Sequence, residues 1–399
     1  MKKFDPDYPL QGTALDLPLK VVINFSESER NRFILRLVNA LSKKIDSNEM
    51  ALKKKISMQT EMRDLRKLVR SPYDKFLLTE DKTRKRNILG VGSHGGTHTE
   101  YSRKLMWRMA TKQGDLANLI KNKEHRLIKK ISQILDPSIT NKEIFRNRNK
   151  SVVQNVLSFL QLNYAVGTAF PPFHARFFAE TYLPMEGDCL VVDPCAGWGG
   201  RLLGIQSVNR SSRVHYVAVD PEKRLKDAHE GIQSRVDKYL NRDIKGKRTS
   251  KVFYQPFEKW ITSISAMKLY SQADLVFTSP PYFSAEIYNP TNIKQSANNY
   301  PTYEEWRDKF YNVLVQGAYD LLKPGGYFIL NIANVASAKY LERDARILAK
   351  EVGFVNAGFY KLAMSVTPGT KSTVKHSIKV DGKLFKYEPC FCFRKRINS

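Results

Sequence analysis

Ser279, Pro280, Pro281 and Tyr282 follow directly on an apolar run in DLVFTSPPYFSAEIY, residues 274–288. Proline cannot donate to a sheet ladder and fixes its own φ, so Pro280 and Pro281 end a buried strand abruptly. A rigid corner bearing a hydroxyl and an aromatic ring results, and its meaning depends on the other strand ends beside it. A second stretch, VVDPCAGWGGRLLG (191–204), runs from a strand through Asp193 into a glycine turn that opens a helix. Gly197, Gly199 and Gly200 let the backbone approach a ligand where a side chain would collide. The turn departs from GxGxxG, because Leu202 stands in the third glycine's place. An aspartate at the strand end would also repel phosphate, which argues against a dinucleotide oxidoreductase. It suits a cationic or zwitterionic ligand instead. Asp220 ends the next strand, in VAVDP, where a carboxylate can accept both hydroxyls of a ribose. A glycine turn and a ribose acid without a phosphate cradle predict S-adenosylmethionine as cofactor. The competing readings are a plain strand–helix turn for Gly197 and Gly199 and a helix N-cap for Asp220.

Three further groups of residues bear on the same site. FYQPFEKW (253–260) closes the third strand, where an adenine ring would be contacted, and offers Gln255, Phe257 and Glu258. FPPFHARFFAETYLP (170–184) lies just upstream of the first strand, and its helix can lay Phe173 or Phe177 against the cofactor. Core packing is the alternative for each of these two aromatics. Phe283, Glu286 and Tyr288 are candidates to line a substrate pocket behind the corner, against a solvated loop.

The elements that must position these groups change character along the chain. After residue 185, strands and helices alternate, with CLVVDP, HYVAVDP, VFYQPF, ADLVFTSP, GYFILNIAN, FYKLAMSV and FKYEPCFCFRK as seven strand candidates. Most are short Val/Ile/Leu/Phe runs, as expected for strands covered on both faces. YEEWRDKFYNVLVQGAYDLLKPGG reads as a helix stopped by Pro324 and the Gly325–Gly326 pair. A doubly wound α/β domain follows, with its ligand at the carboxyl ends of the first strands. Upstream the pattern is helical. Ser26 and Glu29 have capping-box spacing, and Phe33, Ile34, Leu37, Val38 and Leu41 form one apolar stripe. A second, charged helix continues to about residue 70, residues 71–100 read as loop, and helical stretches recur near 101–135 and 149–163. The expected division is therefore 1–150, basic and mainly helical, and 151–399, the α/β domain.

Charge narrows the partners. The 399 residues carry 66 Lys and Arg against 39 Asp and Glu, a net +27, which predicts attraction to polyanions and to nucleic acid first. Residues 1–150 hold 33 basic and 17 acidic residues, so the helical part is the more basic per residue. Cys189, Cys195, Cys390 and Cys392 form no CxxC pair, and no metal is expected. They read as buried thiols in a reducing compartment. MKKFDPDYPL lacks the apolar core of a signal peptide, and no run approaches the roughly 20 apolar residues of a membrane span. A cytoplasmic, soluble protein without a membrane partner is the expectation.

DPCAGWGG (193–200), VAVDP (217–221) and TSPPYF (278–283), followed by LLKPGGYFILNIAN and YEPCFCFRK, resemble the amino-methyltransferases of DNA, which make N4-methylcytosine or N6-methyladenine. The resemblance covers roughly residues 165–399 and implies a seven-stranded Rossmann-like methyltransferase domain. It implies that Asp193, Pro194, Ala196, Gly197, Gly199, Asp220, Phe257 and Phe173 surround the cofactor and that Ser279, Pro280, Pro281 and Tyr282 are catalytic. An exocyclic amino nitrogen is a poor nucleophile, because its lone pair is delocalised into the ring. Hydrogen bonds accepted from its N–H groups free that lone pair for in-line attack on the sulfonium methyl. Ser279 Oγ and the Pro280 carbonyl are the expected acceptors, and Tyr282 offers a face to a base extruded from the duplex. Serine at the first motif position resembles the cytosine-N4 branch, whereas the adenine-N6 branch usually has Asp or Asn. Cys195 lies in the cofactor turn rather than in a Pro-Cys catalytic loop, which argues against ring-carbon methylation. An RNA enzyme and a non-catalytic nucleic-acid-binding protein remain as alternatives.

The resemblance implies DNA as partner, with a cognate restriction enzyme as a candidate second one. Recognition is expected in the basic 1–150 region, whose lysines and arginines would position rather than specify. The polar stretch 290–304 suits a loop touching nucleic acid. His94 and His98 have the HxxxH spacing of a metal pair, but with no cysteine pair ahead of them a DNA-contacting loop is the reading taken.

Overall fold

The structure, a computed structural model, describes residues 10, 13–46, 56–90, 92, 94–106, 116–139, 146–163, 169–210, 212–289, 292–364 and 376–397. It divides into two compact units. One comprises Met1–Ile56, Arg103–Thr168 and Val366–Lys371; the other comprises Ser57–Ser102, Ala169–Ser365 and Ser372–Ser399.

The first unit is helical. Glu27–Asp46 is its longest helix, and the predicted capping box is present: Ser26 N–H donates to Glu29 Oε2 at 2.8 Å and Glu29 N–H to Ser26 Oγ at 3.3 Å. Its stripe of Phe33, Ile34, Leu37, Val38 and Leu41 is buried, as are Ile120, Leu127, Ile131 and Ile134 of the helices Leu116–Lys121 and His125–Leu135. No described helix is long and apolar enough to cross a membrane.

The second unit is the doubly wound sheet. Its strands are β1 (Leu77–Leu78), β2 (Ile88–Leu89), β3 (Asp188–Asp193), β4 (Arg213–Val219), β5 (Arg248–Phe253), β6 (Ala273–Thr278), β7 (Leu322–Asn331), β8 (Val355–Met364), β9 (Ser377–Val380) and β10 (Lys383–Arg394). The order is β1-β2-β8-β10-β7-β6-β3-β4-β5, with β9 hairpinned on β10. The seven expected strands form the centre, β5-β4-β3-β6-β7-β10-β8; β3 to β7 run parallel and β10 lies antiparallel to both neighbours. β6 is buried at all six positions, as a strand with helices on both faces must be. The chain leaves β3 towards β5 on one side and returns to β6 on the other, so the crevice at the switch point lies between β3 and β6.

Three expectations need correction. The boundary near 150 does not hold, because Ser57–Ser102 belongs to the sheet unit and Arg103–Thr168 to the helical one. The cause is packing: Leu65, Leu68 and Val69 of the helix Met58–Arg70 join Phe173, Phe177 and Phe178 in one core, and β2 pairs with β8. The stretch 71–100 is therefore not simply loop. The helix expected to stop at Pro324 stops at Leu321, since Leu322 already pairs with Ala273 and Pro324 lies within β7.

Candidate functional site

The cofactor turn begins where β3 ends. Asp193 is fully buried and receives four donors: Cys195 N–H at 3.1 Å, Arg201 Nε at 2.7 Å, Arg201 Nη2 at 3.4 Å and the Tyr216 hydroxyl at 2.7 Å. A carboxylate offers about four lone-pair sites, so Asp193 has none left for a ligand. It shapes the turn instead of binding through it. Pro194 and Ala196 are also buried, and Ala196 N–H ties the turn to the Val219 carbonyl at 2.8 Å. The residues of the turn that retain access are Cys195 and Gly197.

The glycines divide by role. Gly197 has φ +58°, and an added Cβ would meet nothing nearer than 3.8 Å. A Cβ would fit there in ordinary van der Waals contact, so the backbone at Gly197 is not closed over. Gly199 has φ +85°, but its Cβ would strike Ile232 Cδ1 at 2.3 Å, and a Cβ on Gly200 would collide with the Phe170 carbonyl. Those two glycines serve the close packing of the helix Gly200–Gln206 rather than ligand approach. The Gly197 peptide is held at both polar atoms. Its N–H donates to Asp220 Oδ2 at 2.8 Å, and its carbonyl accepts from His229 Nε2 at 2.7 Å. Burial lowers the His229 pKa, which keeps the ring neutral, with Nδ1 facing the Tyr254 hydroxyl at 3.0 Å.

Asp220, at the end of β4, accepts one backbone N–H on each oxygen, from Gly197 and from Glu222 at 2.9 Å. Burial pushes its carboxyl up to about 6, while those two hydrogen bonds pull the other way. Each oxygen keeps a lone pair, so a ribose acid at this position fits the geometry. Cys195 is held as a thiol, raised first by burial and then by the nearby Asp193 and Asp220 charges, and is no nucleophile.

The aromatic candidates fall mostly in cores. Phe173 packs on Phe76 at 4.6 Å and His94 at 5.7 Å between ring centroids, away from the turn. Phe177 lies against Tyr73 and Tyr360. Phe257 is 2% exposed and sits against Trp260 and Gly317. Phe283 turns into the core against Tyr303 and Trp306, both at 5.8 Å, on a left-handed backbone of φ +51°. The ring that does face the turn is Phe170, 5.6 Å from the Arg201 guanidinium and 5.3 Å from Phe277. Of the HxxxH pair, His94 is half-buried against Phe76 and Phe173, and His98 lies inside. His98 is buried and bonded through Nδ1 to the Gly95 carbonyl at 2.8 Å, and burial lowers it to about 4. Asp64 ties down Gly95 and Thr97, while Gly96 between them is exposed. Among the described residues no cluster could hold a metal.

The corner after β6 is braced from β7 and β10. Ser279 Oγ donates to Asn331 Oδ1 at 3.1 Å, and the Tyr282 hydroxyl reaches the same oxygen at 3.4 Å. Asn331 Nδ2 donates to the Pro389 carbonyl at 3.0 Å, which settles which way the amide faces. Tyr282 is 7% exposed; its hydroxyl also reaches Glu388 Oε2 at 3.4 Å, and its N–H donates to Glu286 Oε2 at 3.3 Å. Burial first, and then the Glu388 charge, push Glu286 up to about 7. Burial raises Glu388 too, against bonds from Tyr282 and Asn331. Tyr288 hydrogen-bonds Glu286 and stands edge-on to Trp198 at 5.6 Å, linking corner and turn. In the loop beyond, Asn298 Nδ2 donates to the carbonyls of Asn289 and Asn292 at 2.8 and 2.9 Å and braces the turn, while Asn299 is exposed.

Of the expected site residues the fold brings Gly197, Asp220, Ser279, Tyr282, Glu286 and Tyr288 together around the two strand ends, and beside them stand Arg201, His229, Asn331, Glu388 and Phe170, which the sequence did not single out. Asn331 had a signal: a polar residue ending a buried run, like Asp193 and Asp220.

No protein-family model matches the chain, and no curated protein matches it. Solved structures do. A SAM-dependent methyltransferase from Methanosarcina mazei is 14% identical, spanning 55% of this chain and 98% of that one, with a TM-score of 0.37. A SAM-dependent O-methyltransferase from Thermotoga maritima is 10% identical over 59% and 70%, with a TM-score of 0.35. TrmN from Thermus thermophilus is 16% identical over 56% and 48%, with a TM-score of 0.31.

Proposed function

We propose that the chain transfers a methyl group from S-adenosylmethionine to an exocyclic amino group of a nucleic-acid base drawn out of its stack, cytosine N4 in DNA being the substrate. The observation that carries this reading is the fixed Ser279 hydroxyl. Its Oγ lies 3.1 Å from Asn331 Oδ1, an amide itself oriented by Pro389, and a hydroxyl hydrogen turned to that oxygen leaves the Oγ lone pairs to accept. Beside it, no backbone N–H among the described residues reaches the Pro280 carbonyl. Two fixed acceptors converging on one amino nitrogen draw its N–H groups out of conjugation, and the alignment costs no reorganisation during reaction.

The cofactor end fits the same reading. Gly197 leaves room for the ligand against its backbone, and Asp220 retains lone pairs for ribose hydroxyls. When bound, S-adenosylmethionine supplies an electrophilic methyl on a sulfonium. The chain's part is to hold it in the crevice between β3 and β6, facing Ser279. Charge supports a polyanionic substrate: the helical unit carries 25 basic and 11 acidic residues, a net +14.

The test is nucleoside mass spectrometry of duplex DNA and of RNA after incubation with the chain and isotopically labelled S-adenosylmethionine. N4-methylcytosine in DNA is expected. Labelled N6-methyladenine alone overturns the cytosine assignment, label in RNA alone overturns the DNA assignment, and label in neither overturns the reading.

A further inference from the structure

Ser279 and Pro280 can accept hydrogen bonds, but an alcohol and an amide carbonyl are too weakly basic to keep a proton. An amino nitrogen that gains a methyl group must lose one. The SPPY corner contains no group able to take it, whereas two carboxylates meet around its tyrosine. Glu286 Oε2 accepts the Tyr282 N–H at 3.3 Å, and Glu388 Oε2, from β10, faces the Tyr282 hydroxyl at 3.4 Å. Both carboxylates keep partial access, while Tyr282 and Asn331 between them are 7% and 2% exposed.

We propose that Glu286, held against the Tyr282 backbone N–H with Glu388 at the far end of the same side chain, takes in its ionised form the proton shed by the substrate amino group. The proposal rests on the amino-methyl-transfer reading above. The amino lone pair forms the N–CH3 bond as the donor's C–S bond breaks, with that bond's electrons left on sulfur. The nitrogen then carries one proton too many. It passes to a Glu286 oxygen, which later releases it to solvent at the accessible edge.

The groups facing Glu286 set how readily it takes up a proton. Glu388 lies close enough to oppose a second negative charge; Tyr282 N–H and the Tyr288 hydroxyl favour the charged form, and Arg201, already bound to Asp193, offsets the repulsion only in part. Glu388 is supported in its charged form by Tyr282 and Asn331. The balance leaves Glu286 titrating at about 7, where an acid–base group works best near neutral pH.

The experiment compares wild type, Glu286→Gln and Glu388→Gln. Single-turnover methyl transfer is followed against pH, S-adenosylmethionine affinity is measured by calorimetry, and glutamate carboxyls are titrated by 13C NMR in the cofactor-free chain. The wild-type rate should rise with pH through about 7, the value to which Glu286 is raised. Glu286→Gln should remove that rise and lower the rate about 100-fold or more, with cofactor affinity unchanged. Glu388→Gln should move both the NMR titration of Glu286 and the rise in rate to lower pH, a coupled shift that loss of packing would not produce. A Glu286→Gln chain with the wild-type profile, or a Glu286 carboxyl titrating in the ordinary range, overturns the inference alone. A wild-type chain that binds cofactor yet methylates no nucleic acid overturns the underlying reading and the inference with it.

Discussion

At the glycine turn the buried carboxylate of Asp193 is met by a guanidinium, a phenol and a backbone N–H, whereas at the proline corner Glu286 and Glu388 hold the two ends of Tyr282 with no ion pair among the described residues. The first arrangement is neutralised within the protein and gives the ligand a shaped wall. The second leaves charge uncompensated at the point where a proton has to move. Buried ion pairs hold geometry at some cost in desolvation, while like charges in a cleft shift proton affinities towards a working value. Binding and chemistry thus occupy neighbouring strand ends built on opposite electrostatics.

The largest effect should come from unbalancing the neutral end. Arg201→Met leaves Asp193 buried without its cation, and we expect a loss of about 3–5 kcal/mol in urea unfolding. Asp193→Asn with Arg201→Met should recover part of it. A single variant as stable as wild type would show that the turn does not depend on charge balance.

Next comes the corner. Ser279→Ala removes one of two fixed acceptors and should lower turnover by roughly 100- to 1,000-fold, as loss of one preorganised hydrogen-bonding group does elsewhere. Cofactor affinity should stay within a factor of two or so, because Ser279 contacts Asn331 and not the turn. Equal losses in turnover and cofactor affinity would erase the distinction between the two ends.

Asp220 tests where they meet. Asp220→Ala should weaken S-adenosylmethionine by about 1–3 kcal/mol in calorimetry, since ribose hydroxyls would lose an ionised acceptor. In the wild type, with this carboxyl raised to about 6, affinity should fall as pH drops through that value and the acceptor is protonated. Affinity flat from pH 8 to 5 would reduce Asp220 to a brace for Gly197.

Much of this was legible because strand ends announce themselves. A buried apolar run closed by Asp, Ser or Asn marks a carboxyl end, and Asp193, Asp220, Ser279 and Asn331 all obey that rule. What the rule cannot tell is whether a polar group faces the ligand or a neighbour: Asp193 is consumed by Arg201, eight residues later on a helix. The aromatics failed for a similar reason. Phe173, Phe257 and Phe283 stand at suitable positions in the chain, but their directions are set by Phe76, Gly317 and Trp306, which no local pattern points to. Glu388 had no local signal, since its role arises when antiparallel β10 is laid beside β7. Residues 57–70 share the basic helical texture of what precedes them and 71–100 read as loop, and only packing reveals that Leu65 and Leu68 complete the sheet unit's core. A chain shortened to 149–399 would expose that core, so it cannot isolate the catalytic unit.

The smallest effect asks whether the corner is strained in the absence of any ligand. Glu286 has a folded-state carboxyl at about 7 against an ordinary 4.5, so the folded chain binds its proton more tightly than the unfolded one does. Stability linked to this group is therefore full below 4.5 and declines as pH rises to about 7, levelling off beyond. Glutamine cannot ionise and escapes that decline. Glu286→Gln should match wild type in urea unfolding near pH 4 and exceed it by about 1 kcal/mol at pH 8, the partial solvent access of the carboxylate keeping the gain small. Glu388→Gln in the same background should add a further small gain at pH 8, because burial raises the Glu388 carboxyl as well. A Glu286→Gln chain less stable than wild type at pH 8 would mean that the charged form is held by the tyrosines at no cost, and the contrast between a balanced turn and an unbalanced corner would fail.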